Sequence, residues 1–330
     1  MATRSAASSR SRRVRPSVNG GLRSAAARNG GRVARTFVPG FEPLARAFEQ
    51  RLARALRERA DGPARVGQAL RYAALSPGKR VRPLLVLAAC DAVGSPWKRA
   101  LPAAVAVECV HAFSLVHDDL PAMDDDDYRR GRLTTHKKFG DALGVLAGDA
   151  LLAFAFEELS RLGGEGVPAP RVVEAVRRLA HAAGALQLVG GQALDVAAEG
   201  RKPSSRLVRD IHERKTGALF GASLALGAIA GDADTRTVDA LEEAGRMAGL
   251  AFQIQDDLLN VSARSLRTLG KRPGTDAARG KATYPAAVGE SRARRDAVGL
   301  LRSVRSALAR RCARPERLLR LVDALAKRER

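Results

Sequence analysis

His117-Asp118-Asp119-Leu120-Pro121-Ala122-Met123-Asp124-Asp125-Asp126-Asp127-Tyr128-Arg129-Arg130-Gly131 follows an apolar run and places six Asp among the ten residues from 118 to 127. Carboxylates this close repel by roughly 1 kcal/mol per pair in water at about 4 Å, and by about 4 kcal/mol at an effective dielectric of 20. A fold gains nothing from the cluster unless a cation sits in it. Hard oxygen donors at this density suit Mg²⁺, which keeps waters and takes one or two carboxylates plus substrate phosphates. Arg129 and Arg130 add planar forks for phosphate oxygens. Pro121 ends the helix that carries Asp118. Asp118 and Asp124 are six apart and share no helical face, so a loop must fold back to bring them together.

A second stretch answers the first. Phe252-Gln253-Ile254-Gln255-Asp256-Asp257-Leu258-Leu259-Asn260 follows another apolar run, and Asp256 and Asn260 are four apart, on one helical face. Two Asp-bearing helices facing each other can clamp a metal-bound diphosphate. The rest of the chain supplies helices to hold them. Leu44, Phe48, Leu52 and Leu56 recur at four-residue spacing. Segments at about 63–75, 80–93, 98–119, 140–161, 171–198, 204–230, 235–260 and 283–310 read the same way, Ala- and Leu-rich and punctuated by Gly or Pro. No period-two pattern is sustained. The expected fold is all-α, a single large helical bundle. The Gly- and Ala-rich uncharged run 217–231 has fifteen residues, short of the roughly 20 a membrane span needs, and reads as a buried core helix.

Composition bounds the rest. The chain of 330 residues is 45% hydrophobic, enough for a sizeable core. Cys90, Cys109 and Cys312 are scattered and odd in number, which argues for a reducing compartment such as the cytoplasm. Residues 1–40 hold nine Arg and no Lys, Asp or Glu. They read as a basic, low-complexity, disordered tail preceding a helical domain over 41–330. The composition is also that of an organellar transit peptide. Without those nine Arg the net charge falls from +22 to +13, a balance that suits an anionic substrate. A nucleic-acid-binding reading rests on this tail alone, and an aromatic fraction of 4% offers little base stacking.

Gly78-Lys79-Arg80-Val81-Arg82-Pro83 reads as a helix start after Pro77-Gly78, with Lys79 and Arg82 on one face. Cations there oppose the helix dipole, so anion binding explains them better than stability. Gln192 and Asp195 share a helical face, in reach of metal waters or of Lys215.

These segments, together with Gly190-Gly191-Gln192-Ala193-Leu194-Asp195, Lys215-Thr216-Gly217 and Gly280-Lys281-Ala282-Thr283-Tyr284-Pro285, stand in the order of the trans-polyprenyl diphosphate synthases. The chain resembles that family across residues 41 to about 310, most closely its bacterial short-chain type. The resemblance implies an isoprenoid-synthase bundle with a central cavity, working as a homodimer. It assigns Lys79, Arg82, His111 and Arg130 to the diphosphate of isopentenyl diphosphate, and Arg129, Lys215 and Lys271 to the allylic diphosphate. Thr216 and Gln253 meet the reacting allyl group, and Lys215, Thr216 and Gln253 form the catalytic set. Asp118, Asp119, Asp124 and Asp256 hold Mg²⁺. Asn260 departs from the pattern, since the family usually has Asp there.

The implied reaction is prenyl transfer driven by ionisation. A terpene cyclase also uses an Asp-rich Mg²⁺ site but needs no second diphosphate site, so Lys79, Arg82 and Arg130 argue against it. A silent partner subunit would have lost Asp or Arg residues from the first motif, and this chain keeps them. Product length turns on the wall below Asp118. Helical phase points to Ser114, four residues back, whereas Phe113 lies five residues, about 7.5 Å, back along the helix. The resemblance decides for Phe113 and implies a fifteen-carbon product, with geranyl or geranylgeranyl diphosphate as alternatives.

Overall fold

Apolar residues repeating every three or four positions must be buried against something, and here they are buried against one another. The computed structural model describes residues 38–58, 63–200, 204–261 and 282–326. The chain runs through α1 (Glu42–Arg57), α2 (Ala64–Ala74), α3 (Val81–Ala92), a 3₁₀ turn (Trp97–Ala100) and α4 (Leu101–Asp118). A hairpin of β1 (Tyr128–Arg129) and β2 (Arg132–Leu133) follows, then α5 (Thr135–Phe139), α6 (Asp141–Ser160), a 3₁₀ turn (Arg161–Glu165), α7 (Ala169–Ala183) and α8 (Leu188–Ala198). Next come α9 (Ser205–His212), a π turn (Glu213–Gly217), α10 (Ala218–Ala230) and α11 (Thr235–Val261). Beyond residue 281 lie α12 (Tyr284–Val288), α13 (Glu290–Arg311) and α14 (Glu316–Ala326). The fold is all-α, as the periodicity predicts.

Burial follows the patterns. In α1, Leu44, Phe48, Leu52 and Leu56 all face inward. Every residue of α10 is buried, the signature of a helix apolar on all sides. It packs against α3, α4, α7 and α11 and forms the axis of the core. A second apolar cluster joins Leu250, Ile254 and Leu258 of α11 to Val208 and Ile211 of α9 and to Tyr284, Ala293 and Ala297. It fixes the Asp-bearing stretch of α11. The run Trp97–Asp118 has the length and hydropathy of a membrane span, yet 72% of that window is buried inside the protein, as expected of a core helix.

Four boundaries differ from the sequence reading. The stretch 171–198 is two helices, because Gly184 takes an extended backbone after α7. The stretch 283–310 breaks at Gly289, whose φ of +83° interrupts the helix. Helix α14 lies past the segments read as helical. Helix α3 begins at Val81, not at Gly78, since Arg80 has a left-handed φ of +50°. Lys79 therefore sits on the approach to the helix and not on its face with Arg82.

Candidate functional site

A cavity of about 1340 Å³ opens among α3, α4, α8, α11, the π turn and the loop after α4, and most of the residues singled out in the sequence line it. Helix α4 stops at Asp118, three residues before Pro121. The loop then folds back: the Asp124 amide donates to Asp118 O at 2.8 Å, and the Met123 amide to Leu120 O at 2.9 Å. That closure brings Asp118 and Asp124 to the same wall. Asp256 and Asn260 join from the shared face of α11.

Asp119, expected among the metal ligands, points elsewhere. It is 3% exposed and does not line this cavity. Arg129 Nε donates to its two oxygens at 2.7 and 2.9 Å, and a terminal nitrogen of Arg129 stands 2.5 Å from Oδ1. One residue on from Asp118, its side chain turns into the protein, where the carboxylate is spent on holding a guanidinium. Asp257 repeats the arrangement beside Asp256. It is 4% exposed, engages His212 Nε2 at 2.8 Å and accepts from the Tyr284 amide at 2.8 Å and from Gln253 Nε2 at 3.3 Å.

A cationic group lines the same cavity. It comprises Lys79, Arg82 and Arg130, with His111 beside them. Arg130 occupies the first turn position of the β1–β2 hairpin with φ of +52° and donates to Pro77 O at 2.7 Å, tying the hairpin to the Lys79 loop. The Arg82 guanidinium lies 5.0 Å from the centre of the Phe220 ring, a cation–π distance. Arg80 braces this corner. It is buried, donating to Glu49 and Glu108 at 2.7 Å each. Burial, then the charges of Arg82, Arg130, Arg129 and Arg80, push His111 well below the ordinary histidine range. It is a neutral hydrogen-bonding group in a field made for an anion.

Lys215 and Thr216 ride on the π turn before α10, a distortion that often marks functional sites. Gly191 makes room for it, since a Cβ there would stand 2.5 Å from the Lys215 amide nitrogen. Lys215 Nζ donates to Asp195 at 2.7 Å, as the helical spacing suggested. Burial pulls its pKa down, but Asp118, Asp195 and Asp124 outweigh that and hold it above the ordinary lysine value. Thr216 Oγ1 donates to Gln253 Oε1 at 3.0 Å, and both residues line the cavity.

The donor set fits Mg²⁺. Among the described residues no three acidic, His or Cys side chains form a ready-made cage. Asp118, Asp124 and Asp256 on the cavity wall are hard oxygen donors of the kind Mg²⁺ takes alongside water and substrate phosphate. Gln192 lines the cavity, and its buried Oε1 has no hydrogen-bond partner among the described residues, an acceptor suited to metal-bound water. Phe113 is 7% exposed in the wall. Lys271 lies outside the described residues. The sequence reading missed Arg80, the anchoring use of Asp119 and Asp257, and the π turn. The doubled Asp in each motif was the available signal for the anchors.

A family model described as polyprenyl synthetase matches residues 63–313. Farnesyl diphosphate synthase of Escherichia coli is 46% identical over 244 residues, 74% of this chain and 81% of the relative. The large subunit 1 of the chloroplastic heterodimeric geranylgeranyl pyrophosphate synthase of Arabidopsis thaliana is 46% identical over 250 residues, 74% of this chain and 67% of the relative. Among solved structures, an FPP/GFPP synthase from Zymomonas mobilis superposes with a TM-score of 0.74 at 38% identity, covering 86% of this chain and 95% of that one.

Proposed function

The chain belongs to the polyprenyl synthetase family and is a prenyltransferase, and from that premise we propose that it condenses isopentenyl diphosphate with dimethylallyl or geranyl diphosphate to make farnesyl diphosphate. The observation that carries this reading is one cavity lined by both a carboxylate set (Asp118, Asp124, Asp256) and a cationic set (Lys79, Arg82, Arg130). A single diphosphate needs only one of them.

The chemistry divides between the two. Asp118, Asp124 and Asp256 would hold Mg²⁺, which would neutralise charge on the allylic diphosphate and make it a better leaving group. Lys215, Arg129 and Lys271 add fixed positive charge to that diphosphate. Thr216 and Gln253 hold the reacting end of the allyl group. The C–O bond breaks and its electron pair leaves with diphosphate. The π bond of isopentenyl diphosphate, oriented by Lys79, Arg82, His111 and Arg130, forms the new C–C bond. A proton is then lost to the departing diphosphate. Apolar walls including Leu188, Val189 and Phe252 keep water from the cation.

Phe113 supports the fifteen-carbon product, because an aromatic ring in the wall five residues back along α4 from Asp118 limits depth. The relatives named above include both farnesyl and geranylgeranyl synthases, so product length is the point to test. Purified protein supplied with isopentenyl diphosphate, Mg²⁺ and geranyl diphosphate should yield mainly fifteen-carbon alcohol after dephosphorylation. Phe113→Ser should shift the product to twenty carbons or more. An unchanged pattern in a folded, active variant removes Phe113 from the role, and a twenty-carbon product from the unaltered protein replaces farnesyl with geranylgeranyl diphosphate.

Exposed Val145 and Leu146 on the largely apolar α6 support a homodimer, with a second copy covering that face. In this reading residues 1–40 are a tail and 41–330 the catalytic domain. The scattered, odd-numbered cysteines favour the cytoplasm, and the chloroplastic relative fits the transit-like composition of residues 1–40.

A further inference from the structure

His117 has no part in the chemistry above, yet it lines the cavity directly beside Asp118. Its ring meets that of Phe113 edge to face, with centroids 5.0 Å apart and planes at 75°. The two residues are one helical turn apart on α4. The other side of the imidazole is fixed. Nε2 donates to Val145 O of α6 at 3.0 Å, which sets the tautomer with Nδ1 free of the proton in the neutral ring, and Asp149 stands at 3.8 Å from the same nitrogen. The ring rests on α6 at Gly148, where an added Cβ would overlap Nε2 and Cδ2. The chain thus devotes a glycine, a backbone carbonyl and an aromatic contact to holding one imidazole against Phe113.

We propose that His117 is a positioning residue for product length: it braces the Phe113 ring against α6 and so keeps the floor of the cavity in place. The inference rests on the reading of Phe113 as that floor. Without the brace, the Phe113 ring gains rotamer freedom and yields to a growing chain.

The test compares His117→Ala, Phe113→Ser and the double variant by the ratio of twenty- to fifteen-carbon products, with thermal unfolding measured on each. His117→Ala should raise the ratio about fivefold, the factor that corresponds to one aromatic edge contact. The double variant should match Phe113→Ser alone, because there is no longer a ring to brace. Gly148→Ala should raise the ratio too, since it displaces the imidazole without removing it, and it stands in if His117→Ala fails to fold. A shift in Phe113→Ser with none in His117→Ala or Gly148→Ala overturns the brace and leaves the floor standing. A double variant that adds the two effects also overturns it. No shift in Phe113→Ser removes the floor, and the brace with it.

Discussion

Asp118-Asp119 at the end of α4 and Asp256-Asp257 on α11 are built on one plan and held in different ways. In each pair the first carboxylate lines the cavity and the second is buried. Asp119 is held by a charged partner, the Arg129 guanidinium that returns from the hairpin. Asp257 is held by neutral donors, the Tyr284 amide and Gln253, and by the His212 imidazole. The surroundings differ as well. The first pair is followed by four more Asp, whereas the second has Asn260 one turn on. Lys215 feels the first region: Asp118 and Asp124 are among the charges that raise its pKa. The first region brings two carboxylates to the cavity, Asp118 and Asp124, and the second brings Asp256 beside the uncharged Asn260.

That asymmetry is open to breaking. Asp118→Asn should lower kcat/KM by about a thousandfold, and Asp256→Asn by about a hundredfold, the span usual for removing one preorganised electrostatic group. Thermal unfolding should stay close to the unaltered protein in both, because each side chain faces the cavity. Steady-state assays at saturating Mg²⁺ decide it. Equal losses would mean that the two regions share the charge evenly.

The anchors should differ in stability. Asp119→Asn leaves the Arg129 guanidinium facing a neutral amide in a largely buried place, at a cost of about 3 kcal/mol. Asp257→Asn keeps an amide oxygen that can still accept from the Tyr284 N–H, so about 1 kcal/mol should be lost, the worth of an ordinary hydrogen bond. Urea midpoints measured on the two variants give the order directly. If Asp257→Asn proves the more damaging, the three contacts of the second anchor together outweigh the single guanidinium of the first.

Much of this was readable in the sequence for a physical reason. The bundle follows from 3.6-residue periodicity, which is local, and the Asp-rich half of the site from charge crowding within ten residues, also local; the substrate roles of the other site residues came through the family resemblance. Asp118, Asp124, Asp256, Lys79, Arg82 and Lys215 meet at one cavity as expected. What escaped depends on contacts distant in sequence. The Asp119–Arg129 pair exists only once the hairpin folds back over α4. The brace of His117 on Val145 O spans 28 residues. The π turn at Lys215 depends on how close α8 comes to it, which Gly191 permits and no propensity announces. Helix ends at Gly184 and Gly289 were marked by their glycines, but a glycine inside an apolar run reads equally well as a tolerated residue.

The smallest expected effect lies at the residue that makes the two regions unequal. Asn260 lines the cavity on the same face of α11 as Asp256, one turn further on. An amide oxygen can ligate a hard cation but brings no charge, and affinity for such ions is tuned by ligand charge count. Asn260→Asp adds one carboxylate near Asp256, where repulsion between the two costs something in the empty site and is relieved by a cation. At water-like screening a charge pair at about 4 Å is worth roughly 1 kcal/mol, so the Mg²⁺ concentration for half-maximal activity should fall about fivefold. Turnover at saturating Mg²⁺ should change little, because the first region still dominates the field around Lys215. A titration midpoint that stays put or rises would place residue 260 outside the metal's reach and leave Asp256 as the second region's sole carboxylate at the ion.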